Sequence, residues 1–221
     1  MFKTDNRLIK AAIIDGVHPY DVPGFRDLFR SIEDIDPYHQ AIDNWAVDCG
    51  GVRDEYDVLL FYNSNPEPNP ECQFIKPKLI ETLGEIGKAV NQGIVVLHHG
   101  LLAYPNDQNW SQIVGIANRA FGFHMDQTFK VEIAQPAHPI VQGLSDWIMF
   151  DETYTMDSAD EASEILLTTQ HEKSMRTIAW TRQFRSARVF CYQLGHDARS
   201  WIDPNFREIL TQGIRWAAGR L

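Results

Sequence analysis

Two short apolar runs, separated by a segment of helical periodicity, constrain the fold of this chain more than any other feature. The runs are Tyr56–Tyr62 and Ile94–Leu97, and each has the length of a strand that is buried on both faces. Between them, apolar residues from Ile75 to Val90 recur every three or four positions, with Pro77 near the start and Gly93 after the end. Strand, helix and strand in this order predict a parallel sheet with helices on its faces.

Further patterns along the chain add to this sheet. A strand is predicted at Leu8–Ile14, a helix from about Pro23 to Asp34, and a closing helix that begins at Asp203-Pro204. Further short strands are predicted at Phe129–Ile133, Ile165–Thr168, Thr177–Thr181 and Arg188–Leu194, with the last two joined as a hairpin. We therefore expect one α/β domain over residues 1–221, a mostly parallel central sheet with an antiparallel extension.

Composition excludes several classes of protein. The chain has 221 residues, 44% of them hydrophobic, and a net charge of −10, which disfavours binding to nucleic acid. No apolar run approaches the roughly 18 residues of a membrane span, and the N-terminus lacks the pattern of a signal peptide, so a cytoplasmic protein is expected. The three cysteines form no CxxC pair. The apolar segment Trp147–Phe150 suits either the core or an interface between copies, which leaves a homo-oligomer open.

Polar and titratable residues follow the predicted strands, at the point where each strand ends. These residues are Asp15 and His18, Asn63 and Asn65, His98 and His99, and His196 and Asp197. The carboxyl ends of parallel strands meet at one edge of an open α/β sheet, where ligands bind. Because neighbouring residues on a strand point in opposite directions, we expect His98 to face this edge and His99 to pack against the following helix.

Several segments together resemble the ThuA-like proteins, which are named for trehalose utilisation. RVFCYQLGHDARSWIDPNFREILTQGIRWAAG (188–219) is similar to their closing strand, Gly-His-acidic turn and helix. GIVVLHHG (93–100) resembles their strand that ends in Leu-His, and AHPIVQGLSDWIMFDETYTM (137–156) resembles their His-Pro-Ile, Gly-Leu and acidic-Glu-x-Tyr segment. NWSQIVG (109–115) is similar to the helix between them. The resemblance runs from about Leu8 to Gly219.

The resemblance implies a flavodoxin-like three-layer α/β/α sandwich of the class I glutamine amidotransferase type. In those enzymes the strand-end elbow carries a nucleophilic cysteine, and the alignment of VLHHG places His98 there, with Gly100 at the final glycine. An imidazole does not replace a thiolate in forming a thioester, so glutaminase activity is not expected. The link to sugar metabolism implies a carbohydrate or oxidised-sugar ligand.

Three residues are the expected catalytic groups: His98, His196 and Glu152. Histidine exchanges protons near neutral pH, and Glu152 follows the apolar WIMF, where burial would raise its pKa and suit it as an acid. We expect hydrolysis or isomerisation of a sugar derivative. The expected ligand-binding residues are Asp15, His18, Asn63, Asn65, His99, Tyr104, Trp110, Tyr154 and Asp197, with Tyr104, Trp110 and Tyr154 offering ring faces.

Two alternatives stay open. His18, His98 and His196, with Asp15 or Glu152, would suit a catalytic zinc site, although no HxxxH or HxH spacing supports it. The other alternative is a sugar-binding or regulatory module that keeps an amidotransferase-like pocket without its chemistry.

Overall fold

A mixed sheet of nine strands forms the centre of the computed structural model, which describes residues 7–64, 75–89 and 92–221. In chain order the strands are β1 (Ile9–Asp15), β2 (Ile35–Ala41), β3 (Val58–Phe61), β4 (Gly93–Leu97), β5 (Gly122–Ile133), β6 (Trp147–Thr155), β7 (Glu164–Thr168), β8 (Thr177–Phe184) and β9 (Ala187–Tyr192). They lie side by side in the order β2-β1-β3-β4-β9-β8-β7-β5-β6. The first five of this order run parallel and the other four antiparallel, which confirms the expected α/β fold.

Helices cover both faces of the parallel part. They are α1 (Val22–Arg30), α2 (Ile42–Val47), α3 (Ile75–Glu85), α4 (Gln108–Val114), α5 (Ala198–Trp201) and α6 (Pro204–Ala217). Alternate residues of the strands contribute to two buried clusters, one beneath α1 and α6 and the other beneath α2, α3 and α4. Within the described ranges, the helices lack the length and apolar character that crossing a bilayer requires.

The predicted strand–helix–strand unit is present as β3, α3 and β4. The two strands pair in parallel, with Leu59 opposite Ile94 and Leu60 opposite Val95. The predicted helix extended to Val90, which lies outside the described residues, and α3 ends at Glu85. Gly93 begins β4, where a Cβ atom would lie 2.3 Å from the carbonyl oxygen of Ala217. A side chain at this position would therefore push α6 off the sheet.

Strands β2 and β6 and the short helix α2 were not predicted. Strand β2 is an edge strand that contains Pro37 and several polar residues, and this composition is typical of a loop. Strand β6 carries buried polar residues in its second half, which hides the apolar alternation. Helix α1 ends at Arg30 rather than at Asp34, because the Ser31 hydroxyl donates to the carbonyl of Leu28 and closes the last turn.

Strand β5 is longer than predicted and forms one wall of the site. It starts at Gly122 instead of Phe129 and pairs with β6 along most of its length. Only its last residues, Glu132 and Ile133, pair with β7 in the central sheet. A register shift between His124 and Gln127 bends the ribbon of β5 and β6.

Candidate active site

His98 occupies a tight elbow between β4 and a 3-10 turn over His98–Leu102. Its φ angle of 45° lies in the left-handed region, which a residue with a side chain rarely adopts. Gly100 is needed in this elbow, because a Cβ atom there would lie 2.5 Å from the carbonyl oxygen of Phe61. The elbow presents the imidazole of His98 at the carboxyl edge of the parallel strands.

Hydrogen bonds orient the His98 ring. Its Nδ1 lies 2.5 Å from the carbonyl oxygen of Gln193, which only accepts, so Nδ1 carries the proton and donates. The hydroxyl of Tyr154 lies 2.8 Å from Nε2. The Nε2 lone pair of the neutral ring therefore points away from the strand and toward the side chains of β6.

His196 follows β9 and is held through the backbone of its own loop. Asp151 accepts from the amides of Gly195 and His196 at 2.7 and 3.2 Å. The Tyr62 hydroxyl donates to the carbonyl oxygens of both residues, and Trp201 Nε1 donates to that of Gly195. Asp151 is the neighbour of Glu152 on β6, and the alternation of side chains along a strand turns it away from Glu152. The structure assigns it the separate task of positioning the His196 loop.

Glu152 joins the two imidazoles. Its Oε2 lies 3.0 Å from His98 Nε2 and 3.0 Å from His196 Nδ1, and the two nitrogens are 3.3 Å apart. The side chains of His98, Glu152 and His196 are 0%, 6% and 15% exposed. We call these three groups the carboxylate–imidazole centre. Residues from β4, β6 and the loop after β9, distant along the chain, thus meet at one point.

The electrostatics of the centre differ from expectation at Glu152. Burial alone would raise the pKa of this carboxyl, but its hydrogen bonds to His196 and His98 outweigh burial and lower the pKa. The expectation of a raised pKa is wrong for this reason. The hydrogen bond to Glu152 raises the pKa of His196. Both shifts favour an ionised carboxylate at Glu152 beside a protonated imidazole at His196.

His99 joins the site, although we expected it to pack against the following helix. The 3-10 turn begins at His98, so the two rings lie 4.4 Å apart instead of on opposite sides of a strand. His99 Nδ1 lies 3.2 Å from the Tyr154 hydroxyl, and the His18 ring lies 3.8 Å from that of His99. Burial, together with the neighbouring imidazoles, lowers the pKa of His99 and keeps its ring neutral.

A cavity of about 390 Å³ opens over the carboxylate–imidazole centre. Its polar lining includes His18, His99, Glu152 and His196. Its apolar lining includes Phe121, Phe123 and Met125, at and just before the start of β5, all at least 40% exposed. Sequence reasoning missed these three residues, because single exposed apolar residues carry no functional signal until a fold groups them.

Two aromatic residues expected to contact ligand lie in the core instead. Trp110 is fully buried, packs edge-on against Phe61 and donates from Nε1 to the carbonyl of Gly100. Tyr104 is 3% exposed, packs against Trp110 and accepts from the Asn63 amide. The expectation that Tyr104 and Trp110 offer ring faces to a ligand is therefore corrected, since both rings are covered by the core. Asn63 itself is buried beside Tyr104.

The acidic residues expected at the edge have local structural roles. Asp15 accepts a hydrogen bond from the Tyr20 hydroxyl, and burial raises its pKa. Asp197 caps α5 and pairs with Arg199 at the surface.

Tyr154 was also expected to bind ligand. Its ring centroid lies 4.8 Å from that of His98, and Tyr154 lines the cavity. The position of Asn65 lies outside the described residues.

Four residues offer ligand atoms close enough together for a metal ion: His98, His99, Glu152 and His196, whose atoms all lie within 4.8 Å of one another. The metal set expected from the sequence was His18, His98 and His196 with Asp15 or Glu152; in the structure His99 takes the place of His18, and Glu152 rather than Asp15 is the carboxylate. The arrangement can exchange protons, bind a cation, or donate hydrogen bonds to a polar ligand in the cavity.

A sequence model of the ThuA family, described as trehalose utilisation, matches residues 53–217. No curated protein matches the chain in sequence. Among solved structures, a ThuA-like protein from Parabacteroides merdae is 16% identical, with a TM-score of 0.74 over 96% of this chain and 90% of the other.

Two further structures extend the comparison. A cytoplasmic protein from Salmonella typhimurium is 12% identical, with a TM-score of 0.68 over 94% of this chain and 98% of the other. A glutamine amidotransferase from Thermotoga maritima is 11% identical, with a TM-score of 0.55 over 95% of this chain and 98% of the other. These likenesses establish a shared fold, of the type expected from the sequence.

Proposed function

The chain belongs to the ThuA family, described as trehalose utilisation, and from this premise we propose that it is an enzyme of carbohydrate metabolism. Its substrate is a sugar or an oxidised-sugar derivative that binds in the cavity over the carboxylate–imidazole centre. The reaction is acid–base chemistry, a hydrolysis or an isomerisation, carried out in the cytoplasm. The Salmonella protein of similar fold is described as cytoplasmic.

One observation carries the proposal: Glu152 Oε2 lies 3.0 Å from a nitrogen of each of two imidazoles, at the base of an open cavity. His196 is the most exposed of the three side chains, and its raised pKa keeps a proton available there. His196 is therefore the group that exchanges a proton with substrate, and Glu152 stabilises its charged form. His98, fully buried, holds Glu152 in place.

The cavity suits a sugar in its balance of polar and apolar lining. Imidazole and carboxylate groups on one side can bind hydroxyls, whereas Phe121 and Phe123 offer ring faces to the apolar side of a pyranose. A volume of about 390 Å³ accommodates a ligand of one or two sugar rings.

The test is turnover of trehalose, other disaccharides and their keto derivatives, with products followed by NMR. His196→Ala is expected to lower kcat on the accepted substrate by about 10²-fold or more with a smaller change in KM. His171→Gln, which changes an imidazole that does not line the cavity, is the matched control and should retain activity. Full activity of His196→Ala on a turned-over substrate would refute the assignment. Calorimetric binding of a sugar without any turnover would favour the binding module instead.

A further inference from the structure

The distances within the carboxylate–imidazole centre raise a question of hydrogen bonding. His98 Nδ1 donates to the Gln193 carbonyl, so Nε2 of the neutral ring offers a lone pair. Glu152 Oε2, 3.0 Å away, offers lone pairs as well. A proton on His98 Nε2 would make this contact an ordinary hydrogen bond, and a cation shared by the two atoms would stabilise it equally. A second nitrogen, His196 Nδ1, lies 3.0 Å from the same oxygen.

From this geometry we propose that His98, Glu152 and His196 bind a divalent transition-metal ion. The inference deepens the proposed function, because it names the partner of the same three side chains. Two imidazole nitrogens and one carboxylate oxygen form a donor set typical of zinc and of iron(II) in catalytic sites with open positions. Mg²⁺ and Ca²⁺ prefer sets made of oxygen alone.

His98 Nε2, Glu152 Oε2 and His196 Nδ1 form a triangle whose size fits an ion of this type. Its edges are 3.0, 3.0 and 3.3 Å. Ligands about 2.1 Å from a metal, at angles of about 90–110°, lie about 3.0–3.4 Å apart. The three distances therefore match those between three ligand atoms of one ion.

The surroundings of the triangle also resemble those of metal ligands. A ligating histidine usually donates its other ring proton to a carbonyl or carboxylate, as His98 does to Gln193. Among the described residues, Nε2 of His99 is buried without a hydrogen-bond partner, and His99 belongs to the set whose ligand atoms lie within 4.8 Å. His99 is thus placed to become a fourth ligand or to accept from water on the ion.

The cavity supplies the remaining requirements. His196 and Glu152 both line it, so an ion can enter and a ligand can reach the open coordination positions. A bound transition metal would hold His196 as a neutral ligand, in place of the proton-exchanging role proposed above for that residue, and would supply acid–base chemistry by lowering the pKa of a water ligand toward 7.

The experiment uses the full chain without a histidine tag, stripped with EDTA and titrated with Zn²⁺ and Co²⁺ in a calorimeter. One equivalent should bind, and Mg²⁺ in excess should not displace it. Glu152→Gln and His196→Ala should each weaken binding by about 100-fold, whereas the control His171→Gln should bind within about twofold of the unaltered protein. Circular dichroism verifies that each variant is folded, and His196, the most exposed ligand, is the variant expected to fold most readily.

Absence of binding to the unaltered protein would overturn the inference, and so would binding that Glu152→Gln and His196→Ala leave unchanged. Turnover by the metal-free protein would leave the proposed function standing without the metal. Stoichiometric binding that depends on the triangle, without turnover of any sugar, would support the metal site while the proposed function fails.

Discussion

Asp151 offers the sharpest test of how the fold positions the site. Its side chain is buried and accepts hydrogen bonds from three backbone amides. They are the amides of Glu152 at 2.8 Å, Gly195 at 2.7 Å and His196 at 3.2 Å. Asp151→Asn keeps one acceptor oxygen and turns a donor toward at least one of these amides. One amide then loses its partner inside the protein, where water cannot replace it.

The expected cost follows from these contacts. A hydrogen bond to a charged group contributes about 1.5–3 kcal/mol, and a buried amide left without a partner costs about 1–3 kcal/mol. The lost hydrogen bond and the unpaired amide are partly the same loss, so the two values are not added in full. We therefore expect Asp151→Asn to lower the free energy of unfolding by about 2–4 kcal/mol. The displaced amides belong to Glu152 and to the loop of His196, so activity and metal affinity should fall as well.

Urea denaturation followed by tryptophan fluorescence measures the stability change, with Asp146→Asn as the matched control. Asp146 also accepts a hydrogen bond from a backbone amide, that of Ile133 at 2.9 Å, but its side chain is 42% exposed. Water can satisfy the freed amide there and screens the pair that Asp146 forms with Lys130, so its variant should lose less stability than Asp151→Asn. Equal losses in the two variants, or a loss below about 1 kcal/mol at Asp151, would refute the reasoning.

Two further predictions concern stability and change none of the three side chains of the carboxylate–imidazole centre. Gly100→Ala places a Cβ atom 2.5 Å from the Phe61 carbonyl oxygen and should lower the free energy of unfolding by about 1–3 kcal/mol. Gly84→Ala, in α3, places a Cβ atom with no described atom within 4 Å and should raise the free energy of unfolding by up to about 1 kcal/mol. Reversed signs in urea denaturation would contradict the packing described. Burial first, and then Arg26 and Arg30, lowers the pKa of His39 to about 4. The unfolded chain therefore binds an extra proton as pH falls from about 6.5 toward 4, and stability is lost over that window. Since His39 is only half-buried, His39→Gln should reduce the loss between pH 7 and pH 5 by about 1 kcal/mol, and an unchanged slope in denaturation at several pH values would exclude this role.

Elements with strong periodicity were predictable because their pattern reflects local geometry. Strands β3 and β4 are apolar on both faces, and α6 begins at an Asp-Pro cap that needs no distant partner. Strand β6 was missed because Asp151, Glu152 and Thr153 are buried polar residues, and only their partners on other elements make that burial tolerable.

Contacts with ligand were harder to predict than the elements. Trp110 and Tyr104 follow a strand end, as site residues do, yet they pack against Phe61 and each other in the core. Chain position places a residue near an edge of the sheet but does not specify the direction of its side chain. His99 illustrates the converse, since a 3-10 turn brings to the site a ring that strand geometry would have turned away.

The sequence by itself determined the alternation of strands and helices, the family, and the delivery of histidines to one edge of the sheet. These properties depend on periodicity and on short motifs, which the chain carries locally. Only the tertiary structure decided that Glu152, from an antiparallel strand that pairs with β5, reaches both imidazoles. Distances of 3 Å between residues 44 to 98 positions apart arise from the packing of whole elements, which no local pattern encodes.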